Sequence, residues 1–247
     1  METHHPHHVT HKKKWTEYML EFFMLFLAVF LGFVTENVRE NYVERHREKE
    51  YIKSELNDLR SDTAEFRRII SRYQLKVLQM DTLIVLLHSP DQQAHLNEIY
   101  FLGRVSSFTP RFTYNDGTIQ QLKNAGGLRL IKHKGVPDSI MIYDARINEI
   151  RSQGEVLSEA ARDYRNQANK IFDPYIFYQI LKGTLASAQR PLNSPSLLSY
   201  DAEKINDVIS QVMYLRSIFL VTLEMCRSTK ALATRLIVVL QKEYHLY

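Results

Sequence analysis

Few residues in this 247-residue chain stand where chemistry would require them. Glu21 is the one charge inside the run 18–34, and an ionisable group in a hydrocarbon segment is a candidate for an ion or proton path. It also lies seven residues from Lys14, close enough to the interface for its carboxylate to meet headgroups or a lysine of a neighbouring chain. Glu36, Glu40, Glu44 and Glu48 recur at helical i, i+4 spacing, yet the interleaved Arg39 and Arg47 make that row an ordinary solvated face. His4, His5, His7, His8 and His11 are of metal-binding type, with an unstructured polar tail or a tag remnant as the plainer reading. Neither a metal nor another cofactor is expected.

Cys226 is the single cysteine, so an intrachain disulfide framework and a Cys-rich zinc site are both excluded. It falls on an apolar seam with no obvious activating base, which makes it core filler rather than a nucleophile. His88, His95 and His133 are isolated along the chain. A P-loop, the glycine-rich dinucleotide fingerprint, the nucleophile elbow, H-E-x-x-H, an EF-hand loop and the paired Glu-x-x-His of di-iron proteins are all missing. The expectation is a protein that is not an enzyme.

The most unusual charge lies in a connector, residues 104–134. Arg104, Arg111, Lys123, Arg129, Lys132 and Lys134 are opposed there by Asp116 alone, with Phe108, Phe112 and Tyr114 interleaved, whereas the whole chain carries only +4. Basic and aromatic residues together can hold anions, single-stranded nucleic acid included, through phosphate contacts and stacking. The modest total charge and the lack of a recognisable module argue against nucleic acid, and an ordinary loop whose aromatics fill the end of the fold is the simpler account.

The elements that must carry these residues begin with a membrane segment. Residues 18–34 read YMLEFFMLFLAVFLGFV, preceded by Lys12, Lys13, Lys14 and Trp15 and followed by the polar Thr35, Glu36 and Asn37. A bilayer core of about 30 Å takes about 20 helical residues, so 15–35 is expected to span as a transmembrane helix, with Trp15 and Tyr18 at headgroup level. No small-x-small cleavage site follows, which points to an uncleaved signal anchor after a His/Lys-rich tail at 1–14. Ala28 and Gly32 form a small-xxx-small pair of the kind that lets two helices approach closely in lipid. Arg39, Arg45, Arg47, Lys49 and Lys53 after the span outnumber the lysines before it, a mild bias toward a cytoplasmic domain that leaves its side open.

Residues 36–247 are expected to form one helical domain. Between Val38 and Leu87 apolar residues recur at alternating four and three residue spacing without an intervening Gly or Pro, predicting a helix over 36–88 about 80 Å long if straight. The seam runs through Val38, Tyr42, Arg45, Lys49, Ile52, Leu56, Leu59, Thr63, Phe66, Ile70, Tyr73, Val77, Met80, Ile84 and Leu87, with the charges between them facing water. A second seam, Ile140 to Ile171 with Gly154 among its members, predicts a helix over 137–172 that breaks at Asp173 and Pro174. A further helical stretch is expected over 175–185, a loop over 186–199, and a third long helix over 200–244. Such faces bury only against one another or against a copy of the chain, so the fold class is all-α: a transmembrane helix continuing into an elongated antiparallel bundle or coiled coil.

The run 114–131, YNDGTIQQLKNAGGLRLI, together with the polar run 36–40 after the span, resembles a bacterial family of single-span, membrane-anchored helical proteins of unknown function. The likeness covers most of residues 15–150 and implies the same architecture in a bacterial inner membrane, with no activity attached. Gly126 and Gly127 would end a short helix by a left-handed turn, letting Leu128, Leu130 and Ile131 plug the fold. The expected function is therefore a membrane-anchored scaffold or oligomer subunit, whose partners are the lipid bilayer and a second copy or another membrane protein. The alternative is a membrane sensor whose helical domain binds a small ligand and signals through a partner; a third class is an ion-coupled subunit using Glu21.

Overall fold

The computed structural model describes residues 14–183, 187–192 and 195–246, which leaves the histidine tract outside. Among the described residues every regular element is helical and no strand occurs, so the all-α expectation holds. The α-helices are α1 (Trp15–His88), α2 (Leu96–Ser106), α3 (Gly117–Asn124), α4 (Val136–Ala168), α5 (Pro174–Ile180) and α6 (Ala202–Tyr244), with 3-10 turns at Gln92–His95 and Gly127–Leu130.

Local chemistry sets the boundaries. α1 stops before Ser89 and Pro90, and α4 opens with a proline in its first turn, where a missing N–H costs nothing. α4 ends at Ala168 rather than at 172. The reason is Pro174, which holds Asp173 extended at φ −71°, ψ 120°, while Lys170 and Ile171 turn on i−3 carbonyls. The Asp173 side chain then caps α5 by accepting from Tyr175 N at 2.8 Å, and α5 ends at Ile180, short of the expected Leu185. Asp201 caps α6 in the same way, accepting from Lys204 N at 3.0 Å. Of the two glycines expected to end α3 left-handed, only Gly126 is so, at φ 65°; Gly127 starts the following 3-10 turn. Ile131 is buried, whereas Leu128 and Leu130 are half-buried.

Contacts divide the chain into Met1–Glu50 and Tyr51–Tyr247. In the first unit, the helical residues from Trp15 to Val34 expose their apolar side chains throughout; none of its most apolar window is buried. Ala28, Gly32 and Glu21 lie on this exposed stretch. α1 and α6 are both long and apolar enough to cross a membrane by length and composition, but the corresponding window of α6 is 39% buried.

The core belongs to the second unit. α4 buries Ile140, Ile147, Ile150, Leu157 and Ala161 along the expected seam, α6 buries Val208, Val212, Leu215, Phe219 and Cys226, and these two helices pack along one another. Burying a side chain of Leu or Ile size contributes about 1.5–3 kcal/mol, so these stripes dominate the stability of the unit. On α1 the buried stripe differs from the expected seam, whose first members Val38, Tyr42, Arg45 and Lys49 are exposed. It takes Ile69, Lys76 and Leu83 where Ile70, Val77 and Ile84 were expected, and those three are only half-buried. Glu55 and Asp62 are buried too, so the charges of this helix do not all face water. The stripe tolerates Lys76 because its ammonium donates to the Val105 carbonyl of α2. Burial nevertheless pulls the amine down to about 8.

Candidate functional site

The segment between α2 and α3 is short, extended and pinned by α1. Pro110 fixes its own φ and disfavours a helical residue before it, and its carbonyl accepts from Tyr73 OH at 3.2 Å. The Arg111 carbonyl accepts from Arg68 Nη2 at 3.4 Å, and Asn115 N donates to Asp62 Oδ1 at 2.9 Å. Phe112 stacks on the buried Phe66 with centroids 4.5 Å apart and in turn lies nearly parallel to Tyr114 at 6.2 Å, so the segment walls the groove with stacked aromatic rings.

Opposite the wall runs one stripe of α4. Arg151, Glu155, Ser158, Arg162 and Arg165 follow one step after the buried seam, and with Arg111 and the two aromatic residues they line an open groove of about 640 Å³. The floor is Ile150 and Leu157 with Gly154 between them, and a Cβ built at Gly154 would meet no atom within 4 Å. A glycine in a helix interior costs about 1 kcal/mol relative to alanine, and here the missing side chain leaves the groove open.

The groove has four guanidinium groups against two carboxylates. Arg162 pairs with Glu159 at 3.0 Å, but Arg165 donates to the Ser107 carbonyl at 3.1 Å and Arg151 to Tyr114 OH at 3.2 Å, both neutral acceptors. The exposed Arg111 guanidinium has no partner among the described residues. Three arginines thus keep a full positive charge without an opposing carboxylate. Planar guanidinium forks in this state suit carboxylate or phosphate oxygens.

On the other side of Tyr114 lies a place of opposite character. Glu55, Asp58 and Asp62 occupy one face of α1 and meet Asp144 of α4 around a void of about 10 Å³, space for one water at most. Tyr143 OH donates to Asp62 Oδ2 at 2.7 Å, Thr118 N donates to Asp58 Oδ2 at 3.3 Å, and Lys123 donates to Asp144. No hydrogen bond reaches the Glu55 carboxyl among the described residues. Burial first, and then the charges of Asp58, Asp62 and Asp144, push Glu55 up to about 7. Asp62 also rises through burial, with its hydrogen bonds from Tyr143 and Asn115 opposing the shift, and the Tyr143 phenol moves upward.

The six basic residues expected to form an anion-binding connector go to different neighbours. Arg111 alone lines the groove. Arg104 lies over the rings of Phe108 and Phe177 at 4.8 and 5.7 Å, and its buried Nε finds no acceptor. Lys123 is engaged by Asp144, while Arg129, Lys132 and Lys134 sit exposed around the second 3-10 turn. The arginines of α4 were not read as site residues, although their sequence signal exists: three arginines on the stripe adjoining the only glycine of the second seam. Cys226 is fully buried and its thiol is pushed up to about 12, which keeps it protonated. Among the described residues no group of three or more His, Cys, Asp or Glu is placed to hold a metal ion. No protein-family model, curated protein or solved structure matches this chain.

Proposed function

We propose that this chain is a membrane-anchored protein that works by non-covalent binding, with residues 15–35 crossing the bilayer and residues 36–247 forming a helical bundle on one side. The observation that carries the reading is the run of Phe, Leu, Val and Met side chains from Trp15 to Val34, every one of them exposed. A contiguous apolar surface of this kind is stable in lipid and a liability in water. α6 supports the contrast, because its apolar residues follow a periodic stripe that a protein core covers. The reading assigns the chain no reaction of its own, and it extends to the proposed kinship with single-span bacterial inner-membrane proteins, which rests on the 36–40 and 114–131 runs.

Deleting residues 15–34 is expected to move the protein from the membrane pellet to the soluble fraction, while the full chain resists alkaline carbonate extraction. A full chain released by carbonate would overturn the anchor.

A second reading is favoured by the groove. A scaffold needs no cavity, whereas a sensor needs one of ligand size, and 640 Å³ falls within the roughly 300–1,000 Å³ of small-molecule sites. In this reading the domain binds a small ligand and passes the change to a partner, through α1 or through a second copy brought close at Ala28 and Gly32.

A further inference from the structure

We propose that the groove between the 109–114 segment and α4 is a binding site for a small phosphate monoester carrying a planar ring, the chemistry of a nucleoside monophosphate. The inference rests on the sensor reading and names its ligand.

Three observations define the ligand. The first is charge: the lining holds an excess of two positive charges, which a dianionic phosphate matches. The Arg111 guanidinium has no partner among the described residues, and Arg151 and Arg165 hold only neutral oxygens, so an incoming anion displaces no carboxylate from them. Arginine forks bind phosphate oxygens in pairs, which favours a tetrahedral multi-oxygen anion over chloride.

The second is the wall. Phe112 and Tyr114 lie within 10° of parallel with centroids 6.2 Å apart, and Phe112 is backed by Phe66, so the three rings form one stacked aromatic surface held in place. A planar ring stacks on such a surface with little regard to which base it is, which makes a purine monophosphate an adequate probe. The third is Gly154. A seam otherwise filled by Ile147, Ile150, Leu157 and Ala161 is left empty at this one position, beneath the groove and with open space above it. The vacancy lets a ligand body lie against the helix, between the wall and the arginines.

The test is calorimetric titration of the full chain in detergent micelles with adenosine 5′-monophosphate, and in parallel with inorganic phosphate and with adenosine. The monophosphate is expected to bind at least about tenfold more tightly than either part alone. Arg111→Gln combined with Arg165→Gln should weaken it by at least about tenfold, and Gly154→Leu should remove binding by filling the floor. Because the Gly154 position is open, the Leu variant is expected to keep or raise the melting temperature, so that lost binding reports the site rather than unfolding. Phosphate binding as tightly as the monophosphate would overturn the ring-bearing ligand and leave an anion-sensing groove. Absence of binding by all three at millimolar concentration would overturn the ligand assigned to the groove and leave the sensor reading standing on the cavity alone. Binding that survives the arginine and Leu variants would overturn the location.

Discussion

The groove and the acidic pocket share Tyr114, and both gather like charges from more than one element, yet they treat charge in opposite ways. Arg111, Arg151, Arg162 and Arg165 are exposed, so water solvates them and their charge stays available. Glu55 and Asp62 are 3% and 1% exposed, and there desolvation decides. Asp62 is stabilised by bonds from Tyr143 and Asn115, and Glu55 is driven toward neutrality. The lesson is that a count of charges says little until their solvation is known: one cluster can be offered to a ligand, and the other is a load on the fold.

That comparison can be broken most directly at Glu55. Its folded value of about 7 lies above the ordinary 4.5, so the folded chain holds a proton that the unfolded chain releases. Stability is therefore full below about 4.5 and is lost as pH rises through about 7. Glu55→Gln should raise the unfolding free energy by on the order of 3 kcal/mol near pH 8, and by under about 1 kcal/mol near pH 5. Urea denaturation at the two pH values checks it; an equal effect at both would mean that Glu55 is not desolvated.

The next effect comes from the bonds that hold the remaining acidic charge. Tyr143→Phe removes the donor 2.7 Å from Asp62 and should cost about 1.5–3 kcal/mol in the same denaturation experiment. No loss would show that Asp62 is held by Asn115 alone. The smallest effect is expected in the groove. Arg162→Gln breaks an exposed pair with Glu159, both side chains at least 60% exposed, and should change stability by no more than about 0.5 kcal/mol. A larger loss would make the groove arginines structural and sharpen the comparison against a ligand role.

The fold was largely legible because helices announce themselves locally. The four-and-three spacing of α4 and α6 names most of their buried residues, Asp144 and Leu223 being buried off it, and Pro90, Pro174 and Asp201 mark ends that the backbone obeys. The partial failure on α1 is equally physical. Choosing Val77 over Lys76 follows hydrophobicity, but the helix is rotated so that Lys76 reaches the Val105 carbonyl, a partner that belongs to another helix. The candidate site was legible only in Arg111 and the Phe112 and Tyr114 pair. Its other arginines, Arg151, Arg162 and Arg165, lie on another helix further along, and nothing in their own surroundings on the chain says which loop they face.

What the sequence determined by itself was therefore the local part: the helical class, the boundaries set by proline and capping residues, the uninterrupted apolar run at 22–34, and most of the seams of α4 and α6. Each follows from interactions between residues near in the chain. The tertiary structure alone decided which charges are solvated and which are buried. It set three α4 arginines opposite Arg111 across a floor opened by Gly154, and it enclosed Glu55 among Asp58, Asp62 and Asp144. Solvation depends on neighbours brought from distant segments, and no periodicity along one helix can report them.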